Sequence, residues 1–162
     1  MLPGYYVEIE EINPPDVTRR RLENIKRAAL YEMGRMWYND DFPFHFQQEG
    51  WGRYHFAKRT PATMKRKAKK FHHQKPLVFT GGLRDALESN AVIQATPSGV
   101  TIKMVGPNYV NYRGGKSKNG PDMVSEILQI NDGENQELLE EAVFQINEGI
   151  DQEYNRQIMA MR

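Results

Sequence analysis

The four histidines, His45, His55, His72 and His73, are the side chains in this 162-residue chain best suited to hold a metal or move a proton near neutral pH. A metal needs imidazoles that converge, which on a helix means a spacing of three or four residues. None of the four has that spacing, and the adjacent His72 and His73 would leave a helix on different faces. They read as polar contacts at a surface or interface. There is no cysteine, so a thiolate nucleophile, a disulfide and a Cys-ligated zinc or iron–sulfur site are all excluded. Ser89 and Ser98 are the serines of the central region, and neither sits in a Gly-x-Ser-x-Gly elbow. Gly115-Lys116-Ser117 has the ending of a phosphate-binding loop, but Val110 stands where that loop needs its first glycine. Gly81-Gly82 does not continue into a dinucleotide fingerprint and reads as a turn. The neighbouring carboxylates Glu140 and Glu141 read as a solvated helix face. No catalytic residue, metal or cofactor is expected.

Charge is the stronger signal. Lys and Arg number 22 and Asp and Glu 21, for a net charge of +1 that conceals segregation along the chain. From Gly50 to Arg84 every charged side chain is basic: Arg53, Lys58, Arg59, Lys65, Arg66, Lys67, Lys69, Lys70, Lys75 and Arg84. From Asp122 to Asn155 every one is acidic, including Glu137, Glu140 and Glu141. Clustered cations could release counterions from a nucleic acid, with nearby aromatics stacking on bases. Basic and acidic faces on one chain could instead meet head to tail between copies, the arrangement that closes rings.

The elements that must position these charges follow from local patterns. Tyr5 to Ile12 reads as an extended arm or short edge strand, within an N-terminal arm of residues 1–15 that Asn13-Pro14-Pro15 closes. Asp16 is placed to cap a helix running to about Asn39, on which Leu22, Ile25, Ala29, Met33 and Met36 recur at helical spacing. Met33, Met36 and Trp37 read as core. Phe42, Phe44, Phe46, Trp51, Tyr54 and Phe56 then fall in a Gly- and Pro-punctuated, aromatic-anchored loop, with Trp51 either anchoring the core or forming a partner contact. Thr60-Pro61 opens a helix to Phe71 that carries most of the basic cluster. Leu83 to Glu88 suggests a further helical turn. Ala91 to Ala95 and Val100 to Val105 flank Thr96-Pro97-Ser98-Gly99, predicting a hairpin in which Gly99 takes positive φ and Val100, Ile102 and Met104 share a face. Tyr109 to Tyr112 reads as extended, residues 113–121 as a flexible loop, and Met123 to Ile130 as a strand or short helix. Asn131-Asp132-Gly133 leads into a final helix, residues 134–162, through Leu138, Leu139, Ala142, Val143, Ile146 and Ile150.

The expected fold class is α+β, with the long N-terminal helix and the C-terminal helix packed on a small, mostly antiparallel sheet. One domain with one core is expected from the length. An apolar fraction of 39%, below the roughly 45–50% usual for soluble domains, suggests that partners complete its burial. The N-terminus lacks a basic-then-apolar leader pattern, and no stretch approaches the roughly 18 apolar residues of a membrane span, so a soluble protein is expected.

Lys75-Pro76-Leu77-Val78-Phe79-Thr80-Gly81-Gly82-Leu83, preceded by the basic helix after Trp51 and followed by the hairpin and Pro107-Asn108-Tyr109-Val110-Asn111-Tyr112, resembles the tail-completion (virion morphogenesis) family of tailed bacteriophages. Trp51, Lys65 to Lys70, Leu77, Thr80, Gly81, Leu83, Tyr109 and Gly114 occupy the family's pattern positions. The chain departs from the pattern at Tyr109-Val110-Asn111-Tyr112-Arg113-Gly114 and at Pro121-Asp122-Met123-Val124-Ser125, which leaves tail completion, tail terminator and neck connector all open. The resemblance implies a structural virion protein, not an enzyme, assembled in the host cytoplasm as a homo-oligomeric ring of six or twelve copies at the head–tail junction or tail end. Its partners would be other phage neck, connector and tail proteins, with genomic DNA crossing the channel without sequence readout and no membrane. The implied partner and ring-interface residues are Trp51, Arg53, Lys65, Arg66, Lys69, Lys70, Thr80, Arg84, Tyr109, Tyr112, Arg113, Glu137, Glu140 and Glu141. The rival reading is a small nucleic-acid-binding protein that uses residues 53–75.

Overall fold

A computed structural model of the chain describes residues 5–6, 17–78, 80–89, 91–107 and 122–160. The element order is β1 (Tyr5–Tyr6), α1 (Arg19–Met36), α2 (Gly50–Arg53), α3 (Pro61–Phe71), α4 (Gly82–Ser89), β2 (Ala91–Thr96), β3 (Gly99–Met104), α5 (Met123–Ile127) and α6 (Asp132–Ala160). A π-helical turn (Trp37–Asp41) and a 3-10 turn (Phe42–Phe46) follow α1. The fold is α+β, with a small antiparallel sheet between two long helices in sequence. The chain divides into two compact units, each assembled from separated segments: residues 1–38, 92–103 and 133–162 form the first, and residues 39–91 and 104–132 the second. Each unit buries apolar side chains of its own, where one core was expected.

In the first unit, α1 buries Leu22, Ala29, Leu30 and Met33, the π-helical turn after it buries Trp37, α6 buries Leu138, Ala142 and Ile146, and β3 adds Val100. Two glycines let backbones approach where a methyl group would not fit. A Cβ on Gly34 would stand 2.6 Å from Val100 Cγ2, which seats the hairpin on α1. A Cβ on Gly149 would stand 2.6 Å from Ile25 Cγ2, which seats α6 on α1. An ion pair between Arg21 and Glu153 crosses the same seam. The sheet has strand order β1-β3-β2, with β1 antiparallel to β3 in the register Tyr5↔Val100 and Tyr6↔Gly99. Thr18 occupies the N-cap position of α1, its carbonyl accepting from Arg21 and Leu22. The cap assigned to Asp16 is therefore corrected, and Asp16 itself lies outside the described residues. Gly99 is a second correction. It belongs to β3 without a positive φ, and Gly81 is the glycine among the described residues that has one (φ 92°).

In the second unit, the residues after the 3-10 turn fold back on it. Phe42, Phe46, Tyr54 and Phe56 are buried around His45, which is wholly inaccessible. The His45 ring stacks on Tyr54 with centroids 3.8 Å apart, and Tyr54 stacks on Phe56 at 5.3 Å. Aromatic pairs of this kind contribute about 0.5–1.5 kcal/mol each beyond their buried area. The expected surface role of His45 is thus overturned: Nδ1 lies 3.0 Å from the Phe42 carbonyl and Nε2 2.8 Å from the Gln129 carbonyl. Leu77, Val78, Leu83, Leu87 and Ile127 complete this core.

Candidate interaction surfaces

The basic face is built on α3. Thr60 adopts an extended conformation and accepts a hydrogen bond from the Thr63 amide, Pro61 takes the first helical position, and His72 ends the helix left-handed at φ 56°. Between these caps Lys65, Arg66, Lys69 and Lys70 are all exposed. At about 100° per residue they project within roughly 140° of arc. No acidic residue occurs on α3, and Lys65 and Lys69 form no ion pair among the described residues. Lys65 and Lys69, like charges four residues apart on one face, repel one another, a repulsion that an external anion would relieve.

The fifth cation, Lys67, points the other way. It is 5% exposed and its Nζ donates to the Lys75 carbonyl. Burial, reinforced by the Arg59 charge, lowers its pKa to about 8. The same burial acts on His73, whose pKa is also lowered, with Lys67 and Lys75 as charged neighbours. Arg59 in turn makes a two-pronged ion pair with Glu126, its Nη1 lying 2.9 Å from Oε1, while the Ala57 amide donates to the same carboxylate at 3.1 Å. Glu126 and Arg59 are both largely buried, so this pair belongs to the architecture that presents α3.

The remaining basic-segment candidates are held by their own unit. The Trp51 indole donates to the Gln74 carbonyl at 2.8 Å, packs edge-on against Phe56, and lies under the Arg59 guanidinium, 5.5 Å from it. Arg53 donates to buried Asp41 at 2.7 Å and covers the Phe44 ring. These two side chains pack against the aromatic core of this unit, Trp51 remaining half-buried. Arg84 pairs with Asp85 at 3.0 Å and reaches Glu88 at 3.6 Å on α4, and Thr80 is exposed at its start. Tyr109, Tyr112 and Arg113 lie outside the described residues, as do the extended stretch and flexible loop expected there.

The acidic face lies on α6, where Glu137 and Glu140 are exposed and Glu141 is half-buried. Gln136 donates to Glu140, and Gln145 to Glu141, both at 2.8 Å and four residues apart. Beside them runs an apolar strip: Leu139, Val143, Tyr154 and Ile158 are exposed, whereas Leu138, Ala142 and Ile146 are buried. The signal was present as two offset apolar rows, an arc wider than one packing partner covers. Among the described residues no cluster of three or more potential metal ligands occurs, and no helix is long and apolar enough to cross a membrane. Comparison with protein-family models, with curated proteins and with solved structures finds no match to this chain.

Proposed function

We propose that this chain is a structural virion protein of a tailed bacteriophage, joining copies of itself into a ring at the head–tail junction or head-proximal tail end that completes the tail and joins it to the capsid connector. The phage assignment rests on the residue pattern from Trp51 to Tyr112. The assembly part is carried by one observation, the exposed four-cation arc of α3 in a chain whose α6 exposes Glu137 and Glu140. A face of one sign repels its own copy across a two-fold axis, so α3 does not pair with α3. Opposite faces on different units meet between copies instead, and such head-to-tail contacts close into rings when the rotation permits. Leu139 and Val143, exposed beside Glu140, supply apolar area at that contact. DNA crosses the channel unread.

The same arc supports the rival reading, a nucleic-acid grip through phosphate contacts. Two charge-reversed proteins separate them. One carries Glu at Lys65, Arg66, Lys69 and Lys70, and the other carries Lys at Glu137, Glu140 and Glu141. In a ring built on these faces neither variant assembles alone, yet their mixture does, because each then offers the sign the other lacks. If α3 instead grips nucleic acid, the first variant loses DNA affinity and no mixture restores it.

A further inference from the structure

Strand β2 is the outer strand of its sheet on the side away from β1. Its six residues, Ala91 to Thr96, contain no charge and no proline. Burial alternates along it without a break: Ile93 and Ala95 turn inward, with Ile93 Cγ2 beside Gly34 of α1, and Val92, Gln94 and Thr96 are exposed. Among the described residues the strand makes no backbone hydrogen bond outside its own sheet. An open edge of this kind presents a row of amides and carbonyls that accepts another strand, and sheets that must stay unpaired blunt such edges with lysine, proline or a bulge. This edge has none of those devices.

We propose that β2 is an interface at which a second copy of this chain adds its own β2, antiparallel, about a two-fold axis at Gln94. That register is even, so it keeps both inward faces on the same side of one continuous six-stranded sheet. Ile93 then stands opposite the second copy's Ala95, and Val92 opposite its Thr96. Gln94 meets Gln94, and a primary amide can donate to and accept from its own twin. Identical strands usually bring like charges together across such an axis, and this one has no charge to bring. The alternative of β2 pairing with β1 of another copy offers only Tyr5 and Tyr6 as strand among the described residues, against six positions in β2. The contact is two-fold and uncharged, so it joins copies two at a time, independently of salt and of the charged faces discussed above.

The absence of cysteine makes the test direct. Residues directly opposite in an antiparallel pair have Cβ atoms about 4.5–5.5 Å apart, within adjustment of disulfide geometry. Gln94→Cys under mild oxidation should therefore give a disulfide-linked dimer in high salt, where the charged faces are screened. Thr101→Cys, an exposed site on β3 that the β2 contact keeps two strands away from its twin, should form no disulfide-linked dimer. In parallel, sedimentation of cysteine-free protein in high salt should show a dimer that Gln94→Lys converts to a folded monomer, with the far-UV circular dichroism unchanged and the thermal midpoint lowered only by the lost mass-action stabilisation of the dimer. Cross-linking of Gln94→Cys no faster than Thr101→Cys would overturn the proposal. So would a wild-type monomer in high salt at micromolar concentration, the result expected if another segment of the same chain or a foreign peptide covers this edge.

Discussion

Replacing Lys67 with methionine should change how stability depends on pH, with little change at neutral pH. In the native chain Lys67 is 5% exposed, and burial, aided by Arg59, lowers its pKa from 10.5 to about 8. The folded chain therefore releases this proton before the unfolded chain does. Between about pH 8 and 10.5 the unfolded state binds more protons, so the unfolding free energy attributable to Lys67 rises with pH across that window. At about 1.4 kcal/mol per pH unit where the two states differ by a full proton, the gain from pH 7 to 9.5 is about 2 kcal/mol. Methionine keeps the packed stem, gives up the hydrogen bond to the Lys75 carbonyl, and does not titrate. Urea denaturation of both proteins at pH 7 and 9.5 isolates the effect, because every other titrating group is common to the two. The stability difference should shift toward the wild type by about 2 kcal/mol at the higher pH. A difference that stays constant within about 0.5 kcal/mol would refute the reasoning and mean that the ammonium reaches water.

Arg59→Met leaves the Glu126 carboxylate buried without its cation and should cost about 3–5 kcal/mol in urea denaturation, whereas Glu126→Gln, which retains an acceptor for the Ala57 amide, should cost less. His45→Phe preserves a ring against Tyr54 but removes the donor facing the Phe42 and Gln129 carbonyls, and should cost about 1–3 kcal/mol. Gly149→Ala should destabilise by about 1–2 kcal/mol despite alanine's better helix propensity, because its methyl meets Ile25 at 2.6 Å. In an Ile25→Ala background the same change should become stabilising, as read from thermal melts of the four proteins.

Local chemistry was the legible part of the fold. Thr60-Pro61 fixed the start of α3 and the alternation of Val100, Ile102 and Met104 fixed the face of β3, because capping and pleat period act over a few neighbouring residues. Asp16 misled since a second capable residue, Thr18, lies nearer the first helical turn. Gly99 misled since the turn closes without a left-handed residue there. The burial of His45 could not be read locally: its acceptor at Gln129 is 84 residues away. Trp51 and Arg53 likewise hydrogen-bond to Gln74 and Asp41, groups that composition cannot pair with them. The cationic arc of α3 was visible from spacing alone, but the turning of Lys67 away from that arc depends on the backbone at Lys75. On α6 Leu138 and Leu139 are both apolar in the sequence, and only tertiary packing decides which is covered.

The central claim is that opposite charged faces join copies of this chain. Light scattering of the purified protein at low and high salt, with the same samples imaged by negative-stain electron microscopy, tests it most directly. The account predicts closed rings at low salt that loosen as salt screens the faces. A mass that stays at the 18.8 kDa of one chain at low salt would contradict it.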